Sequence, residues 1–328
     1  MDRSLASYIL RRSLQIPPLM LGISILTFLI FYLSPVNPVV AYLGLVAVQK
    51  MPPEDVARVE EQLGLNQAAH VRYLAWLERI LHGDWRFSHI KKRPVLDIIL
   101  ERFPATLLLT LTGYGLSAAL AILLGLYSAL RAGSRFDAIL NSLNYMLYST
   151  PTFLVALLAV LVFSVWLDWF PSSRMVSVNE PTAFLPNLAD RIYHLMLPAS
   201  ILAISHLAVF SSYIRSSLQE SLQEDYILTA RSKGLDEMKI VLRHAFRNSL
   251  LPFITQVGLS IPLLIGGSVI VESIFAWPGI GKLTYDAALR ADYMLLMGLT
   301  LFSSSIVILG NLMADVGCAM VDPRIKYR

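Results

Sequence analysis

A chain of 328 residues with 55% hydrophobic and only 15% charged side chains falls well short of the about 25% charged residues of a water-soluble domain. Much of its surface is therefore suited to lipid, and a length that would otherwise suggest two soluble domains reads as one helical bundle in a membrane. A single cysteine, Cys318, permits no internal disulfide, and the net charge of +4 points to nucleic acid only if the basic residues cluster.

A membrane-crossing helix needs about 20 apolar residues. Six charge-free stretches reach that length, at 14–33, 103–130, 138–167, 192–214, 248–271 and 293–314. They lack period-two alternation and exceed the ~10 residues of a barrel strand. Helices satisfy their own backbone groups in lipid, so the expected fold class is an all-α integral membrane protein with six transmembrane helices. The first stretch follows Arg11 and Arg12, as a signal peptide would. Its apolar part outruns the usual h-region of about 7–15 residues, and no small-x-small cleavage site follows, so it is expected to remain as a span.

The chain then divides into 1–33 (cytoplasmic N-terminus and first span), 34–102 (an extracytoplasmic region) and 103–328 (a five-helix core with a long inner loop at 215–247). With the N-terminus inside, the inner segments hold fourteen Lys and Arg residues and the short outer segments only Arg174, Arg191, Lys282 and Arg290. Residues 34–102 carry nine basic and eight acidic side chains, and a segment that long translocates largely regardless of charge. Both termini are expected in the cytoplasm. The basic excess is a topology signal, and no nucleic-acid partner is implied.

Within 34–102, the composition of 54–63 is helical, and 70–81 (HVRYLAWLERIL) sets Val71, Leu74, Leu77 and Leu81 on one face. That amphipathic helix either lies at the membrane surface or packs as part of a small exterior subdomain. In the second span Gly113, Ser117, Ala121, Gly125 and Ala129 recur every four residues. Such a row forms either a helix-packing groove or a wall of a conduit. His206 in the fourth span is read as a packing histidine, and Pro262 with Gly266 and Gly267 as a kink in the fifth.

Enzyme chemistry finds little support. Gly281-Lys282 approaches a Walker A loop, but Ala276 stands where a glycine is needed and Leu283 where Ser or Thr is needed. HExxH and GxSxG are absent. No carboxylate occupies the centre of a span, where proton or ion pathways are usually marked. Glu272 and Asp315 lie at span ends.

The inner loop is longer than a connector requires. From Glu224 it reads EDYILTARSKGLDEMKIVLRHAFRNSLLP, with Tyr226, Ile227, Ala230 and Gly234 near one helical face. This segment resembles the cytoplasmic coupling loop of ABC importer permeases in the dipeptide/oligopeptide permease family, in the form of the first permease of the pair. Tyr226, Thr229, Ala230, Arg231, Lys233, Gly234, Leu235, His244, Asn248 and Pro252 fill the family pattern. Leu228 departs from the Glu of the general importer motif. YILRR at 8–12, GLNQ at 64–67 with Arg72-Tyr73 and Gly83-Asp84, VESIFAWPGIGK at 271–282 and DPRIKYR at 322–328 extend the resemblance over nearly the whole chain. Only the stretch after Trp169 fits loosely.

The resemblance implies an importer-type permease bundle in the plasma membrane, with a cytoplasmic coupling helix. It implies a second homologous permease, two cytoplasmic ATPase subunits and an extracytoplasmic solute-binding protein as partners. It implies no cofactor on this chain, ATP being bound by the partner subunits. Ala230 and Gly234 are expected to leave a shallow groove for an ATPase backbone, the alternative being that Gly234 simply ends the helix in a left-handed turn. Peptides are the default solute, with nickel and oligosaccharides open. The rival classes are a secondary transporter or channel, which would not need the 215–247 loop, and a membrane enzyme.

Overall fold

The computed structural model describes residues 3–33, 39–40, 44–62, 66–179, 181–260 and 269–321. Every regular element among them is helical, apart from an isolated bridge between Phe87 and Pro94. Pro262, Gly266, Gly267, Gly64, Leu65 and the 322–328 motif lie outside the described residues.

Helix α1 (Arg3–Ser13) leads into α2 (Ile16–Tyr32), whose Pro17 and Pro18 sit in the first turn. Backbone N–H groups there have no helical acceptor, so prolines cost little. Short helices α3 (Leu45–Gln49), α4 (Pro53–Gln62) and α5 (Ala69–Leu81) follow, close to where helical composition puts the latter two. Helix α6 (Val95–Leu130) has 36 residues, about 54 Å at 1.5 Å per residue. The hydrocarbon core is only about 30 Å thick, so the end carrying Asp97, Glu101 and Arg102 extends beyond it.

The 138–167 stretch is not one straight helix. It lies within α7 (Arg135–Ser149) and α8 (Thr152–Ala159), the latter continuing as a π-turn through Trp166, and the two meet at 103°. The cause is local. Pro151 clashes with a helical residue before it, and Thr150 takes extended backbone with ψ 128°. Helix α9 (Phe184–Leu222) is followed after two residues by α10 (Asp225–Ser232). Glu237–Lys239 and a π-turn at Ile240–Ala245 feed α11 (Phe246–Ser260), and then come α12 (Val269–Ile274), α13 (Ile280–Leu289) and α14 (Tyr293–Val321).

Four helical stretches among the described residues are long and apolar enough to cross a membrane: Ile9–Tyr32, Val95–Leu130, Phe184–Leu222 and Tyr293–Gly317. The bent α7–α8 pair makes a fifth if it is one span. The expected fifth stretch, 248–271, runs through residues outside those described.

The chain forms two compact units. In the first (Met1–Thr106 with Pro278–Leu309), Val95, Ile99, Ile280, Leu295 and Leu299 build a core. Gly298 is needed there, because a Cβ would lie 2.4 Å from Val95. The Thr106 hydroxyl accepts the Ile280 N–H at 2.8 Å, closing the start of α13. The buried Ser88 hydroxyl donates to Asp292, whose carboxylate also accepts the Leu295 N–H in the first turn of α14.

The second unit holds Leu107–Trp277 and Gly310–Arg328. The row of small residues on α6 packs against α9: a Cβ on Gly113 would meet Leu202 at 2.7 Å, and one on Gly125 would meet the Ser211 carbonyl at 2.7 Å. Ser117 and Ala121 are fully buried. The row is thus a close helix contact of the small-xxx-small type, and α9 fills the groove. His206 is a satisfied packing residue, bonded to the Tyr114 hydroxyl at 2.9 Å and to the Leu202 carbonyl at 3.2 Å.

Candidate functional site

The segment singled out by the sequence begins where α9 ends. Glu224 has extended backbone at the start of α10. Ile227 and Ala230, three positions apart, turn inward together: Ile227 is fully buried, and both join Ala129, Leu218, Ile240 and Ala245 in a small core. Burying an isoleucine stabilises by about 1.5–3 kcal/mol, so α10 is seated on the ends of α6 and α9.

The opposite face is open. Tyr226, Leu228, Thr229, Arg231, Lys233, Gly234 and Leu235 are all exposed, with Leu228 at 54%. The Thr229 hydroxyl folds back onto the Asp225 carbonyl at 3.0 Å.

The helix end answers the question left open at Gly234. Its φ is +74°. The Gly234 N–H donates to the Arg231 carbonyl at 2.9 Å, and the Leu235 N–H to the Ala230 carbonyl at 3.4 Å. Those two bonds make a Schellman cap with glycine in the left-handed position. A Cβ at Gly234 would meet nothing within 4 Å. The expected Ala230–Gly234 groove is therefore corrected. Ala230 is covered by the chain itself, and Gly234 holds a left-handed backbone angle with no neighbour of this chain against it.

Beyond the cap, Arg231 pairs with Glu237 at 2.5 Å, which pulls the exposed Glu237 carboxyl below its usual range and raises Arg231. The pair thus stays ionised around neutral pH. The Asp236 side chain accepts the Lys239 N–H at 3.3 Å and starts the next helical segment. His244 is half-buried, and Asn248 and Pro252 are exposed. Spaced by four residues, these three share a stripe of the helix. Pro252 lies inside α11, four residues after the start of the expected 248–271 stretch, in a helical run that has already begun near Glu237.

One feature of this region escaped the sequence reading. Asp137, which is buried, accepts from Arg215 Nε at 2.7 Å and Nη2 at 2.8 Å, from the Ser128 hydroxyl at 2.5 Å and from the Gly133 N–H at 2.9 Å. Asn141 adds a bond at 2.8 Å. This cluster ties the turn between α6 and α7 to α9, ten residues before α10 begins. In the sequence Arg215 registers only as a topology charge. The one available signal was a lone acid, Asp137, beside a span boundary.

Among the described residues, no group of His, Cys, Asp and Glu could hold a metal ion. The segment is thus a solvent-facing helix on a packed base, suited to contact with another protein.

Residues 121–327 match the family of binding-protein-dependent transport system inner membrane components, and residues 5–110 match the N-terminal region of such membrane components. The chain is 42% identical to the oligopeptide transport system permease protein AppB of Bacillus subtilis, over 98% of this chain and 100% of that one. It is 34% identical to the dipeptide transport system permease protein DppB of Escherichia coli, over 98% and 99% of the two chains. With its apolar helices and its match from end to end, the chain belongs to the family of binding-protein-dependent transport system inner membrane components.

Proposed function

We propose that this chain is one half of a conduit for peptides, driven by two cytoplasmic ATPase subunits, one of which docks on α10. A second, related permease completes the conduit, and an extracytoplasmic binding protein delivers the solute. Six spans with both termini in the cytoplasm put α10 on the side where ATP is available. The names of the relatives in Bacillus subtilis and Escherichia coli support peptides as the solute.

One observation carries the coupling role: α10 is fixed on its inner face by Ile227 and Ala230 and open on its outer face at Tyr226, Leu228, Thr229 and Arg231. A short helix rigidly seated at the end of α9 passes a push on its outer face directly into that long helix. ATP-driven closure of the ATPases would then bias the conduit between its two accesses. Lys233, Leu235, His244, Asn248 and Pro252 extend the proposed contact beyond the cap.

The test is Leu228→Asp combined with Leu235→Asp, two exposed positions with little intrachain packing to lose. The variant is expected at normal levels in the membrane, without co-purifying ATPase in mild detergent and without peptide uptake. Loss of a central contact typically costs about 2 kcal/mol or more, which is about a 30-fold loss of affinity. Wild-type uptake by a well-expressed variant would remove α10 as the coupling element.

A further inference from the structure

Helix α5 presents three different surfaces. Tyr73 and Trp76 face α2: the Tyr73 hydroxyl bonds Ser24 at 2.8 Å, and Phe28 lies 5.5 Å from Tyr73 and 6.0 Å from Trp76, between ring centroids. Arg72 stacks over the Tyr32 ring at 5.0 Å. Arg79 and His82 are exposed on another side. The third surface is apolar and open, with Leu74 at 59% and Leu81 at 77% exposure and Val71 at 41%. At 3.6 residues per turn these three fall within an arc of about 80°. His70, in the first turn, is exposed beside them, and the exposed Glu78 falls within the arc, between Leu74 and Val71. The leucine face of the amphipathic pattern is thus left uncovered by this chain at Val71, Leu74 and Leu81, while the aromatic pair makes the packed face.

The depth of α5 identifies what covers it. Ser24 is eight residues before the end of the Ile9–Tyr32 span, about 12 Å along the helix axis. Phe28 is about 6 Å from that end by the same measure. Contacts at both levels require α5 to run beside the last turns of a membrane-crossing helix, below the point where α2 leaves the apolar layer. The side of α2 turned away from these contacts is itself open, with Leu26, Ile30 and Leu33 all more than half exposed, as a helix facing lipid would be.

We infer that α5 lies in the headgroup–acyl boundary of the leaflet reached by the C-terminal end of α2, with Val71, Leu74 and Leu81 in contact with lipid chains. Interfacial helices bury an apolar face about 5–10 Å into that boundary, which matches the depth of Phe28, while the Tyr73 hydroxyl reaches deeper, to Ser24. The contact would brace the outer end of the first span against lipid.

The test uses the assembled importer, with Cys318→Ser in this chain and one reporter at a time at Leu74→Cys, Leu81→Cys or Arg79→Cys. All three positions are exposed. Each cysteine carries bimane, and the complex is reconstituted in phosphatidylcholine nanodiscs, with or without lipid bearing a nitroxide near the carboxyl end of its chain. The reporters at positions 74 and 81 are expected to lose most of their fluorescence to the nitroxide lipid and little to aqueous iodide. The reporter at 79 is expected to show the reverse. Equal quenching of all three by iodide would put the helix in water. Protection of 74 and 81 from both quenchers would mean that protein covers the face. Either result overturns the inference.

Discussion

Arg215 grips Asp137 through two parallel N–H···O bonds, and Ser128, Gly133 and Asn141 complete the shell of the carboxylate. Asp137 is almost wholly buried, whereas the Arg215 side chain is 27% exposed. Breaking a buried pair costs about 3–5 kcal/mol, chiefly because one charge is left without a partner. The partial exposure of Arg215 places this pair near the lower figure. Asp137→Ala is therefore expected to lower the thermal unfolding midpoint of the purified chain markedly. Asp137→Leu combined with Arg215→Met, which removes both charges, should recover most of the loss. Unchanged melting of Asp137→Ala would show that the pair contributes nothing.

The packing of α6 on α9 makes a second prediction, with an internal control. At Gly125 a Cβ would fall 2.7 Å from the Ser211 carbonyl and 2.8 Å from Ile214, both on α9. Gly125→Val should cost about 1–3 kcal/mol through overpacking. At Gly115, on the same helix, a Cβ meets nothing within 4 Å. Gly115→Ala should be neutral or stabilising by up to about 1 kcal/mol, the helix-propensity difference. Thermal unfolding of the two variants in one detergent compares them directly.

The Schellman cap predicts a ranking at Gly234. A left-handed backbone costs an ordinary side chain roughly 1–2 kcal/mol, while Asn adopts it more readily. Gly234→Asn should therefore keep stability and uptake close to wild type. Gly234→Ala and Gly234→Leu should lose similar amounts, because neither meets a neighbour. A Leu variant far worse than Ala would mean that something outside the chain occupies that space.

Much of this molecule was legible in its sequence, and the misses have physical causes. Apolar runs located the long helices, since lipid demands unbroken apolar length. Tertiary contacts were not legible. The inward turn of Ala230 depends on Leu218 and Ala129 lying beneath it, and no local pattern reveals that. The 103° break was signalled by Pro151, but a run of 30 residues without a charge, 138–167, concealed it. The Arg215–Asp137 pair joins residues 78 positions apart, beyond any periodicity. For α5, the hydrophobic pattern located the helix but left open whether membrane or protein meets its leucine face, and it did not show that Tyr73 and Trp76 make the packed face. Aromatic contacts with Phe28 outweighed the leucine stripe.

Topology can be checked by labelling. Ser88 is a poor reporter because it is buried against Asp292, so an exposed neighbour, Lys91, is preferable. In a Cys318→Ser background, Lys91→Cys should react with an impermeant thiol reagent added to intact cells. Ser232→Cys, also exposed, should react only after the membrane is opened. Labelling of Ser232→Cys in sealed cells would reverse the proposed orientation.

The two faces of α10 should fail in different ways, and the difference separates packing from docking. Ala230 is 7% exposed and sits among Leu218, Ile227 and Ile240. A tryptophan there has no room, so Ala230→Trp must displace α10 or strain its base. Overpacking of this kind costs about 1–3 kcal/mol, a large share of the about 5–15 kcal/mol that holds a typical protein folded. The expected result is a reduced amount of permease in the membrane and a lower unfolding temperature, measured without any partner present. Leu228, two positions earlier and on the open face, should behave oppositely. Leu228→Trp should leave the amount and melting of the isolated chain unchanged and affect only complexes with ATPase subunits. If Ala230→Trp accumulates and melts like wild type while losing only its partners, Ala230 contacts the partner directly and its inward packing is not what holds α10 in place.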